Sequence, residues 1–247
     1  MPTKDKTIQK VINCPIFTYH SFKEDDGKMD FCTTPDKFEK DLITLFNAGY
    51  TAISLHKYKE YINDDTSEAK KHFVITMDDG YENNYTLAYP ILLKYKVPAS
   101  IFIVTSFVGL KTHPDYPSLI PHFSWDQASE MKKSELVDIH SHGKWHKSND
   151  VLNYEDLLIN LRESLRSIHS HLGETDFNAY SYPNEKFSKQ SYDAAKTAGY
   201  DLQMINFLDL NQERLSDGYA GRISVNYDSD ILTEANVYKE RLCELLR

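Results

Sequence analysis

Short apolar runs rich in β-branched and aromatic residues recur along the chain and alternate with amphipathic stretches. The runs Val11–Tyr19, His72–Met77, Ala99–Thr105, Leu136–Ser141, Asn178–Tyr182, Asp201–Ile205 and Arg222–Val225 read as buried strands, with Tyr50–Leu55 a weaker eighth. Between them, Pro35–Ala48 sets Phe38, Leu42, Leu45 and Phe46 on one helical stripe, and Gly49 follows as a stop. Leu157, Leu161, Leu165, Ile168 and Leu172 form the stripe of the longest predicted helix, closed by Gly173, and Ser188–Ala198 ends likewise at Gly199. Strand–helix alternation from end to end predicts an α/β fold with a parallel sheet. Seven or eight such units predict a (β/α) barrel, one domain over residues 1–247.

Two of the predicted strands run straight into side chains that do chemistry. Val74-Ile75-Thr76-Met77 is followed by Asp78-Asp79-Gly80, so two carboxylates stand at the C-terminal end of a strand, where parallel α/β folds place their active sites. Adjacent carboxylates repel and are costly unless a cation or hydrogen bonds hold them, although Asp-Gly is also a common turn pair. The second strand, Leu136–Ser141, sends Asp138, His140 and His142 to one face by alternation. His146 follows four residues after His142, a spacing that lets two imidazoles meet on one ion if the chain turns or bends tightly. One Asp and two His make a three-ligand site with an open position, the pattern of catalytic zinc, and the second Asp is then free to accept a proton.

Composition narrows the partners. With 28 Lys and Arg against 37 Asp and Glu, the net charge is −9, and no basic face offers itself to nucleic acid. A neutral or cationic polymer remains compatible. The three cysteines, Cys14, Cys32 and Cys243, form neither a CxxC pair nor a disulfide framework. No stretch approaches the roughly 20 apolar residues of a membrane span. Met1–Gln9 lacks the apolar core of a signal peptide, so the chain as it stands reads as cytoplasmic; a leader removed from it would place it outside.

On these motifs the chain resembles the polysaccharide deacetylase family (NodB homology, carbohydrate esterase family four). Thr76–Gly80 matches its Thr-Phe-Asp-Asp-Gly motif, and His142–His146 its His-[Ser/Thr]-x-x-His motif. Pro15–His20 is similar to the Tyr-His opening strand of a large bacterial subgroup. Residues 38–55, 84–109, 125–131 and 181–200 follow that subgroup too, and the likeness spans about residues 11–227. The resemblance implies a distorted barrel and a hydrolase that removes acetyl groups from N-acetylated sugars. Asp78 would be the general base, and Asp79, His142 and His146 the ligands of one divalent ion. Zinc is the default; cobalt, nickel, iron or manganese also suit such ligands. Tyr182 and Asn184 would fall in the substrate groove, with the Asn184 N–H in the oxyanion hole, and Arg222 would buttress Asp78. A non-sugar amidohydrolase and a catalytically silent glycan-binding module are the rival readings.

The departures are as informative. Met77 stands for the family's Phe, Gly143 for its Ser or Thr, and Asn184-Glu185 for its common Tyr-Gly. The late Leu-x-His, whose histidine serves as general acid, is missing, since no histidine follows His171. His20, at the end of the first strand, is the first candidate for that proton donor, and His140 the second. His113, His122, His169 and His171 read as solvated surface. Trp125, Trp145, Tyr81 and Tyr85 are candidates to stack on sugars.

Overall fold

Seven parallel strands close into a barrel in the computed structural model, which describes residues 4–24, 31–64, 68–111 and 120–245. The chain enters through α1 (Lys4–Ile12) and β1 (Ile16–Tyr19). A small parallel pair follows, β2 (Ser21–Phe22) with β3 (Cys32–Thr33), and then α2 (Pro35–Asn47), β4 (Thr51–Ala52) and α3 (Leu55–Asn63). From there strand and helix alternate: β5 (His72–Met77), α4 (Tyr89–Tyr95), β6 (Ala99–Ile103), α5 (Trp125–Lys133), β7 (Val137–Ser141), α6 (Tyr154–Leu172) and β8 (Ala179–Ser181). The last units are α7 (Lys189–Ala198), β9 (Leu202–Asn206), α8 (Gln212–Asp217), β10 (Tyr219–Ser224) and α9 (Ile231–Leu245). The ring runs β1-β5-β6-β7-β8-β9-β10 and back to β1, and β4 pairs with the first two residues of β5. The expected α/β barrel is therefore present, with seven strands in the ring.

Local chemistry explains the main helices. Thr34 caps α2 by accepting from the Lys37 N–H, Pro35 occupies the first turn, and Phe38, Leu42 and Leu45 turn inward. Asn153 caps α6, which buries Leu157, Leu161 and Ile168 and stops at Gly173. Ser188 and Ser191 cap α7 reciprocally.

Three boundaries differ from the pattern. Val11 and Ile12 end α1 rather than opening β1, because a short buried apolar run fits either element and Pro15 lacks the N–H that a ladder needs. Tyr50–Leu55 yields only two strand residues, since Ser54 caps α3 and turns Leu55 helical. The last strand starts at Tyr219, three residues before the expected start. It contains Gly221, where a Cβ would lie 2.8 Å from the Phe207 Cα, so close packing explains the glycine that interrupted the apolar signal.

Partners in a parallel ladder point to the same side, so Thr18, Thr76, Ser100, Phe102 and His140 share the barrel interior. Thr18 and Thr76 share a 2.8 Å hydroxyl hydrogen bond there. Among the described residues no helix is long and apolar enough to cross a membrane.

Candidate metal centre and active site

β5 delivers Asp78 and Asp79 one after the other beyond its last residue, Met77. Asp79 adopts φ +72°, a left-handed conformation that Asp tolerates better than most side chains. The two carboxylates meet different partners. Asp79 Oδ1 lies 3.1 Å from His146 Nε2 and 3.6 Å from His142 Nε2, and one ligating atom from each of the three falls within 4.8 Å of the others. Asp78 receives a two-pronged Arg222, with Nη1–Oδ1 at 2.7 Å and Nη2–Oδ2 at 2.8 Å. Ser181 Oγ donates to Asp78 Oδ2 at 3.0 Å and accepts from Arg222 Nη2 at 2.7 Å.

The Asp79–His142–His146 donor set fits a divalent cation. Zinc bonds of about 2.0–2.2 Å in tetrahedral array put ligand atoms roughly 3.3 Å apart, and the two separations to Asp79, 3.1 and 3.6 Å, bracket that value. The tautomer agrees. His142 Nδ1 sits 2.9 Å from the Ser181 carbonyl oxygen, so Nδ1–H donates and the Nε2 lone pair faces Asp79. Lone pair against carboxylate is repulsive unless a cation lies between them. Burial pushes the His142 pKa down to about 4 against the pull of Asp78, which keeps the ring neutral, as a ligand must be. Burial lowers His146 as well, but the hydrogen bond and charge of Asp79 more than offset it and lift it above the ordinary imidazole value. Asp79, which burial alone would raise, is held far below the ordinary range by His146 and His142.

The segment between the histidines is a bend, not a helix. Gly143 has φ +82°, and a Cβ there would lie 2.9 Å from Asn160 Nδ2. Asn160, buried on α6, accepts from the Lys144 N–H at 2.9 Å and the Trp145 N–H at 3.1 Å. The glycine thus lets the chain close over Asn160, and the Ser181 carbonyl orients His142 from a strand away. Burial would raise the Asp78 carboxyl, yet Arg222 and His142 bring it down to about 2, so it is ionised at any working pH.

These groups open into a cleft of about 700 Å³, within the size range of small-ligand sites. His20 lines it, half-buried beyond β1, with Nδ1 buried and unpartnered and its ring 5.0 Å from that of Phe31. Asn184 lines it at φ +55°, with Nδ2 donating to Ser148 Oγ. Tyr182 also borders it, with its phenol donating to Gln203 within an aromatic cluster. His140 points inward like His142, as alternation predicts, yet it lies outside the cleft lining, packed against Phe102 and Phe177. Burial pushes it down to about 3, so the second proton-donor candidate is a neutral core residue.

Other expectations need correcting. His122 is buried, not solvated: its segment folds back on the strand end, where the Phe123 N–H donates to the Gly80 carbonyl and His122 bridges to Tyr81. His113 lies outside the described residues. His171 is exposed as expected and stacks on Trp125, at 4.1 Å between ring centres, away from the cleft. Trp145 and Tyr85 are also absent from the cleft lining, whereas Tyr81 borders it. Ser181, Asn160, Phe31 and Glu185 were missed, and only Glu185, as a departure from the family pattern, left a trace in the sequence.

The polysaccharide deacetylase family model matches residues 65–203. YxkH of Bacillus subtilis strain 168 is 26% identical over 195 residues, 78% of this chain and 64% of that protein. The poly-β-1,6-N-acetyl-D-glucosamine N-deacetylase of Staphylococcus aureus strain MSSA476 is 24% identical, over 79% of this chain and 61% of its own length. The chain thus spans less than two thirds of these relatives. In fold it is similar to IcaB from Ammonifex degensii, with TM-score 0.78 and 21% identity over 92% of this chain and 97% of the other. The Streptococcus pyogenes deacetylase PplD, solved with acetate, superposes with TM-score 0.75 and 19% identity over 95% and 98%. The motif order, the barrel and a family match over more than half its length agree: this chain belongs to the polysaccharide deacetylase family.

Proposed function

We propose that this protein hydrolyses the acetamide bond of N-acetylated sugar units in a glycan, at a site holding one divalent ion on Asp79, His142 and His146. The observation that carries the reading is the convergence of these three donors within 4.8 Å beside a second, separately held carboxylate. When bound, a divalent ion of this kind polarises a carbonyl oxygen and lowers the pKa of water toward about 7.

The protein's own groups supply the rest. Asp78 accepts the proton of the attacking water, and the Arg222 fork keeps it ionised and aimed. As the carbonyl carbon becomes tetrahedral, the backbone N–H of Asn184 donates to the developing oxyanion. The C–N bond breaks to leave acetate and an amine, and His20 supplies the proton that the leaving nitrogen needs. The relatives' names support a hexosamine polymer as the substrate class.

The test is acetate release from N-acetylglucosamine oligomers, with metal-stripped protein reloaded with zinc, cobalt, nickel, iron or manganese. Release from simple non-sugar amides but not from oligomers would turn the reading toward a different amidohydrolase. Metal uptake followed by calorimetry checks the ion site without reference to activity.

A further inference from the structure

The cleft carries a third carboxylate that the reaction does not use. Glu185 lines it at φ +55°, beside Asn184 in the same conformation. Asn206 Nδ2, at the end of β9, donates to both of its carboxylate oxygens at 3.1 and 3.2 Å, and Ser224 Oγ, at the end of β10, lies 3.4 Å from Oε1. These neutral donors fix the carboxylate without cancelling its charge. Among the described residues Glu185 has no ion pair, and Arg222, which shares the cleft, is spent on Asp78. A non-glycine residue in a left-handed turn is a strained choice, and strain of this kind gathers at working sites.

Resting on the deacetylase reading, the geometry points to Glu185 as a specificity residue for a protonated amine on the sugar next to the one being deacetylated. A neutral sugar laid over Glu185 removes water from a charge and returns nothing equivalent, whereas an ammonium returns an ion pair. A cleft of about 700 Å³ admits on the order of two sugar units, so that amine belongs to an adjoining unit of the same chain. The overall charge of −9 favours the approach of a polycationic glycan. The reaction itself makes such amines, so this chain works best beside units already deacetylated, and its product is blockwise.

Two defined N-acetylglucosamine oligomers decide it, one fully acetylated and one with a single free amine beside an acetylated unit. Wild type should favour the amine-bearing oligomer by about 3- to 5-fold in kcat/KM, mainly through KM, with the advantage shrinking as salt rises. Glu185→Gln should bring that ratio to about one. A ratio of one in wild type, or a ratio that survives the substitution, overturns the inference. Binding to glucosamine oligomers, measured by calorimetry, provides an arm independent of turnover. If wild type released no acetate from either oligomer, the deacetylase reading would fall. Amine binding lost in Glu185→Gln would then still uphold the subsite, and equal binding by both proteins would remove it.

Discussion

The mouth of the barrel and the layer beneath it are built from the same strands and the same inward face, yet they carry polarity in opposite ways. Beneath, Thr76, Ser100, Phe102 and His140 sit in regular strand; Thr76 pairs with Thr18 on the cleft floor, and burial strips His140 of charge. At the mouth, the carboxylates keep their charge and the backbone is forced. Of the seven non-glycine residues described with positive φ, five (Phe31, Asp79, His146, Asn184 and Glu185) line the cleft. Beneath, these polar groups are neutral, and Ser100 Oγ and His140 Nε2 have no partner among the described residues, whereas the mouth holds carboxylates and imidazoles apart for something that enters. His140 and His142, two residues apart on one face, fall on either side of that division.

Removing a mouth ligand should have the largest effect. His142→Ala should drop the divalent ion from one per chain toward none by elemental analysis and take acetate release with it. Occupancy unchanged from wild type would dissolve the contrast between mouth and interior. Asp78→Asn should retain the ion and lose about 10²–10⁴ in kcat, because it removes a base and not a ligand. Loss of metal in that variant would mean that the two aspartates exchange roles.

His20→Ala should lower turnover of an amide by about 10–10² while sparing an activated acetate ester, whose leaving group departs without a proton. Equal losses on both substrates would mark His20 as structural. Arg222→Met tests the held carboxylate through stability and pH. The Asp78 carboxyl lies below its ordinary value in the folded protein, so its stabilising contribution is present above the unfolded value, about 3.9, and fades as pH falls toward about 2. Without the guanidinium, burial dominates: denaturant unfolding should show a loss of about 3–5 kcal/mol, and the acid limb of activity should move to higher pH. An unmoved acid limb would show that Arg222 does not keep Asp78 ionised. The smallest effect is expected from His140→Phe, with acetate release within about twofold of wild type and stability changed by less than about 1.5 kcal/mol. A loss of a hundredfold or more would put His140 back into the chemistry.

Much of this was legible in the linear chain, and the misses have a common cause. The acid pair at a strand end, the two histidines four apart, and the strand–helix rhythm are local patterns, set by side-chain alternation and helical period. His122 was misread because its burial depends on a segment folding back to Gly80, which no local pattern encodes. Tyr182 borders the cleft, as expected, but no local pattern encodes that its hydroxyl goes to Gln203, 21 residues away.

From its sequence alone, this protein is an α/β chain of alternating units with candidate metal ligands at two strand ends, because periodicity and strand termination are decided within a few residues. The tertiary structure decided how that chemistry is partitioned. Asp78 is tied to Ser181, 103 positions later, and to Arg222, 144 positions later, while its neighbour Asp79 is left to the histidines. The His142 tautomer hangs on a carbonyl 39 residues away, and the Glu185 carboxylate on Asn206 and Ser224. Such pairings exist only once the barrel closes and brings distant strand ends to one rim, where a side chain's role follows from what faces it across the cleft.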